Sequence, residues 1–170
     1  MIDKAYGKKA DEVAEAKDGV VEQVISDLPT LTKLFKGFYG KVKINFIDAF
    51  GPKNADAITN IRTQDNIGNP TGEVNAGTWA NNPYINFYRM AFSSYRELAH
   101  IVLHEFGHAT SFLSGNFYNN YKRYGGSWNN AVLFDEVYAY RYAHNMGGRL
   151  PNSEQRYINK FQNSFICREL

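Results

Sequence analysis

Residues 93 to 115, "SSYRELAHIVLHEFGHATSFLSG", constrain the fold more than any other stretch of the chain. Ser94 and Glu97 have the spacing of a capping box, with the glutamate three residues after the cap. Gly115 supplies a stop. Between them the spacing predicts a helix over 95–113. Leu98, Ile101, Val102, Leu103 and Phe106 fall on nearly every side of it. A helix that is apolar all round is a buried one, so the rest of the chain has to wrap around it.

The same helix carries "HEFGH" at 104–108. Helix positions i and i+4 stand one above the other, so His104 and His108 aim their imidazoles at one point. That suits two nitrogen ligands of a single zinc ion, at about 2.0–2.1 Å each. Glu105 is turned about 100° from His104. Its carboxylate can reach a zinc-activated water but is poorly placed to ligate, the division of roles in the zinc-protease signature H-E-x-x-H. With four histidines and nine glutamates in 170 residues, chance supplies such a match on the order of 0.005 times. The bland alternative, three polar residues on a solvated face, conflicts with a buried helix, where an unpartnered glutamate is costly. The implied chemistry is metal-assisted hydrolysis with Glu105 as general base and then acid.

A catalytic zinc usually has three protein ligands. The metzincin extension needs glycine at position 111 and histidine at 114. Ser111 and Ser114 stand there, so the third ligand comes from elsewhere. Glu136, in "LFDEVYAYRYAHNMGG", is favoured: it follows His108 by 28 residues, on a predicted helix beyond a loop long enough to reverse the chain. Ala139 and Ala143 share its face, and small residues there allow close helix approach. Asp135 is the competing ligand, pointing about 100° away. Tyr121, Tyr124, Tyr140 and His144 are candidate donors to a developing oxyanion, and sequence does not rank them. His100, one turn before His104, reads as a core histidine or a support for the ligands.

On "HEFGH" and "DEVYAYRYA", together with "YINFYR" just before the helix, the chain resembles the gluzincin-type zinc metallopeptidases over about residues 84–146. In that group a glutamate on the following helix is the third zinc ligand, commonly within E-x-x-A-D. Here "EVYAY" matches Glu136 and Ala139, and Tyr140 stands where an aspartate would orient a zinc-bound histidine. The compact size, with the motif late in the chain, is also similar to the zincin-like toxin domains attached to large bacterial exported proteins. That likeness implies a narrow-specificity protease with an immunity or inhibitor protein as partner. A binding module with a structural or vestigial zinc is the alternative from another class.

The remaining chain predicts one α+β zincin-like domain over 1–170, a small mixed sheet packed on the HExxH helix with further helices at both ends. Apolar spacing predicts a helix over 8–27, ended by "DLPT", then a short amphipathic turn over 31–38. "KVKINFIDAF" at 41–50 alternates as a half-buried strand, with Val42, Ile44 and Phe46 on one face. Residues 51–72 are ambiguous, with Ala55, Ile58 and Ile61 spaced for a short helix before the loop "DNIGNPTG". Strands are expected at 73–80 and 84–90, together the candidate edge on which an extended substrate pairs. "NFYNNYKRYGGSWNN" reads as a loop, followed by helices over 131–146 and from Pro151, the latter with Tyr157, Ile158, Phe161 and Phe165 on its apolar face.

Nineteen basic residues against 17 acidic give a formal charge of +2, too balanced to argue for nucleic acid or an anionic membrane as partner. A peptide or protein substrate is expected instead. The lone Cys167 excludes an intrachain disulfide and a cysteine-based metal site. The charged N-terminus lacks the apolar core of a signal peptide, and no apolar run spans a bilayer. The expectation is a soluble chain, cytoplasmic or exported as part of a larger protein.

Overall fold

The computed structural model describes residues 1–38, 41–55, 57–60 and 83–148. The expected strand at 73–80, the expected helix from Pro151 and Cys167 lie outside the described residues.

The long central helix, here α4, runs Tyr95–Leu113, and the Ser94 hydroxyl accepts a hydrogen bond from the Glu97 N–H at 3.1 Å. Leu98, Ala99, Val102, Leu103, Phe106 and Ala109 are all completely buried. Phe106 stacks on Phe35 at 6.0 Å between ring centroids and meets the edge of Phe38 at 5.1 Å. Large buried side chains of this kind contribute about 1.5–3 kcal/mol each. They fix α4 as the axis on which the other elements pack.

Those elements are α1 (Ile2–Tyr6), α2 (Val20–Asp27), α3 (Pro29–Gly37), α5 (Asn116–Arg123) and α6 (Trp128–Asn145), with strands β1 (Lys43–Ile47), β2 (Ala57–Asn60) and β3 (Tyr84–Tyr88). All five other helices and β2 touch α4. The sheet has the order β1-β3-β2, with β1 parallel and β2 antiparallel to β3. The architecture is therefore mixed α and β, and mostly helical among the described residues. No described helix is long and apolar enough to cross a membrane.

Several expectations need correction. The helix predicted over 8–27 is two short pieces separated by an extended segment. Residues 12–14 spend their backbone groups on the start of α4 instead: Tyr95 N–H donates to Glu12 O at 3.1 Å, and Ala14 N–H to Phe92 O at 3.2 Å. Gly19, at φ 84°, then turns the chain into α2. Leu28, completely buried, closes α2 and opens α3, with Pro29 at the first helical position, where its missing N–H does no harm.

Residues 57–60 form a strand rather than a short helix. The strand over 84–88 is not an edge. It lies between β1 and β2, with Ile85 and Phe87 completely buried. The stretch read as a loop contains α5, whose Phe117 is buried against Phe112 of α4. Helix α6 starts three residues earlier than expected, where the Ser127 hydroxyl accepts from the Asn130 N–H.

Candidate metal centre

Helices α4 and α6 run against each other at very short range. A Cβ on Gly107 would lie 2.7 Å from Ala139 Cα, so only glycine fits at the fourth position of HEFGH. Ala139 is completely buried and Ala143 nearly so. This small-residue contact carries Glu136 up to the histidines one turn away.

His104 and His108 present their Nε2 atoms to each other at 3.1 Å, with the rings nearly perpendicular. Glu136 brings one carboxylate oxygen to 3.5 Å from His104 Nε2 and the other to 3.8 Å from His108 Nε2. One ligand atom from each of the three residues lies within 4.8 Å of the other two. Bonds of about 2.0–2.1 Å at tetrahedral angles separate neighbouring ligands by about 3.3 Å. The observed separations bracket that value, and the donor set of two imidazoles and a carboxylate suits a divalent transition metal.

Asp135 occupies a different position from the one weighed for it as a ligand. Its Oδ2 lies 2.6 Å from His108 Nδ1, on the side of the ring away from Glu136. It is 2 % exposed. By accepting the Nδ1 proton it would hold the ring, once a metal had displaced the Nε2 proton, in the tautomer that offers the Nε2 lone pair, the support commonly given to a metal-binding histidine. No carboxylate stands at position 140. Tyr140 instead lays its ring against His104, 4.2 Å between centroids. His104 Nδ1 is buried with no hydrogen-bond partner among the described residues.

Three carboxylates surround His108. Burial disfavours its charged form, but Asp135, Glu136 and Glu105 outweigh that and raise its pKa to about 10 in the metal-free protein. Burial also pushes Glu136 towards its neutral form. The hydrogen bond from His104 and the charges of both histidines overcome this and hold its pKa below the ordinary carboxylate value.

Glu105 is 5 % exposed. Its Oε2 accepts a hydrogen bond from the Thr59 hydroxyl of β2 at 2.5 Å. Sequence reasoning did not find Thr59, because β2 has only four residues and its pairing is non-local. Of the candidate donors, Tyr140 is brought to His104. Tyr121 packs with Trp128 in a small aromatic cluster. Tyr124 has a buried hydroxyl without a partner among the described residues, and His144 is exposed. His100 lies beside Gly148. Comparison with protein-family models, with curated proteins and with solved structures finds no match to this chain.

Proposed function

We propose that the protein is a zinc-dependent metallopeptidase with a zincin-like fold, in which His104, His108 and Glu136 are the metal ligands. The observation that carries this reading is that ligand atoms of His104, His108 and Glu136 lie within 4.8 Å of one another, with a second, buried carboxylate on the residue next to His104. A structural metal alone has no use for Glu105, whose burial costs free energy that the hydrogen bond from Thr59 only partly offsets.

A zinc ion held by His104, His108 and Glu136 would supply a water with a pKa of about 7 and polarise a bound carbonyl. The chain's own residues do the rest. His108 is held by Asp135 in the tautomer that offers Nε2, and Glu136 contributes the negative oxygen. Glu105 takes a proton from the attacking water and delivers it to the leaving amine as the peptide bond breaks. The substrate is a peptide or protein segment.

The test is elemental analysis of purified protein, paired with hydrolysis of a mixed-sequence quenched-fluorescent peptide library. About one zinc per chain is expected. Glu105→Gln keeps the zinc and loses hydrolysis. A protein that retains no zinc at neutral pH, or a Glu105→Gln variant with the wild-type rate, overturns the reading. Full zinc with no cleavage of any library peptide favours the non-catalytic module.

A further inference from the structure

We propose that Thr59 is a positioning residue that holds the Glu105 carboxylate in place from strand β2; the inference rests on the reading of Glu105 as the proton carrier. Antiparallel neighbours point to the same face of a sheet. Ala57 pairs with Phe87 and Thr59 with Ile85, and both partners are completely buried. Ala57 and Thr59 therefore point into the core, where α4 lies. Valine is the ordinary β-branched choice for such a position. A hydroxyl there needs an acceptor, and it has two: Glu105 Oε2 at 2.5 Å and the Glu105 backbone carbonyl at 3.2 Å.

The hydroxyl has one proton, so it donates to one acceptor at a time. The carboxylate is the nearer, and as a charged acceptor it makes the stronger bond. Glu105 has a flexible side chain and sits on a helix already committed to carrying His104 and His108. With Oε2 anchored by Thr59, the carboxylate keeps one orientation, and Oε1 is left to take the proton. Such pre-organisation matters because small misplacements of a proton carrier are costly in rate. The contact also makes β2, rather than the central strand β3, the strand whose placement bears on the reacting group.

The experiment uses the full chain and begins without metal. Melting temperatures are measured for Thr59→Val, Thr59→Ser, Glu105→Ala and the Thr59→Val/Glu105→Ala double variant. Thr59→Val is expected to melt roughly 3–8 °C lower, from loss of one charge-assisted hydrogen bond. Thr59→Ser keeps the wild-type value, and Thr59→Val shifts the Glu105→Ala background by less than half as much. The zinc-loaded proteins are then titrated with acetohydroxamate, whose released proton Glu105 has to accept. Thr59→Val is expected to weaken binding roughly tenfold, and Thr59→Ser to restore it, with zinc content unchanged. Additive melting shifts, or equal hydroxamate affinity in wild type and Thr59→Val, overturn the proposal. Failure of the wild type to hold zinc defeats the peptidase reading instead, and the metal-free melts then decide alone whether Thr59 holds Glu105.

Discussion

Asp135 and Glu136 are consecutive residues that hold opposite ends of one ring: Asp135 Oδ2 lies 2.6 Å from His108 Nδ1, and Glu136 Oε1 lies 3.8 Å from His108 Nε2. The geometry gives the two carboxylates different roles and different expected losses. Glu136→Ala removes a proposed ligand and should abolish tight metal binding. Asp135→Ala leaves the three proposed ligands in place but frees the ring and its tautomer, so affinity should fall about 10- to 100-fold. Competition with a chromophoric chelator measures both. A larger loss from Asp135→Ala than from Glu136→Ala would exchange their roles.

The charges around His108 predict a pH dependence with a definite sign. In the metal-free protein its pKa is raised from the ordinary 6.5 to about 10, because Asp135, Glu136 and Glu105 together outweigh the effect of burial. A raised pKa contributes stability that is fully present below 6.5 and is lost as pH rises through about 10. Denaturation midpoints of the metal-free protein should therefore fall across that window. Glu136 acts in the opposite sense: its pKa is lowered from 4.5, so its contribution is present above that pH and lost as pH falls. Metal has to displace the proton on His108, so apparent affinity should rise by up to about tenfold per pH unit below the His108 pKa. Calorimetry in buffers of different ionisation enthalpy should show proton release on binding.

Much of α4 and of the candidate site is legible in the sequence because the determining features are local. Ser94, Glu97 and Gly115 bound the helix, and the four-residue spacing of His104 and His108 sets their alignment. The pairing with Glu136 is legible through Ala139, although its counterpart, Gly107, was hidden inside the motif itself. Helix α5 was missed because its asparagines and tyrosines look like turn residues, while the helical spacing of Phe117 and Tyr121 went unweighted. The break before α2 depends on hydrogen bonds that Glu12 accepts from, and Ala14 donates to, residues some eighty positions away, which no local pattern records. The role of Asp135 required the rotation of α6 about its axis, and Thr59 required the register of β2 on β3.

Tyr140 packs on the His104 ring, 4.2 Å between centroids. Its ring and its hydroxyl can be separated by substitution. Tyr140→Phe keeps the ring contact with His104 and should retain zinc affinity within about twofold. Tyr140→Ala removes the packing that limits His104 and should weaken zinc several-fold. Equal zinc affinity in wild type and Tyr140→Ala would show that the ring does not hold His104. The rate of Tyr140→Phe on library peptides tests the hydroxyl separately: losing an oxyanion donor costs about 10²–10³ in kcat.

Gly107 makes the most discriminating prediction, because two principles oppose each other there. In an ordinary helix interior, replacing glycine with alanine stabilises by up to about 1 kcal/mol. Here the added Cβ would lie 2.7 Å from Ala139 Cα and 3.1 Å from both its Cβ and its carbonyl oxygen. Two of those three atoms are backbone, so no side-chain rotation relieves the contact and the helices have to separate. Overpacking of this kind costs about 1–3 kcal/mol or more, which outweighs the gain in helix propensity. Gly107→Ala should therefore lower the denaturation midpoint of the metal-free protein. It should also weaken zinc, because separation of α4 from α6 moves Glu136 away from His104 and His108. Stabilisation with unchanged zinc affinity would show that the two helices are not held at this distance in solution.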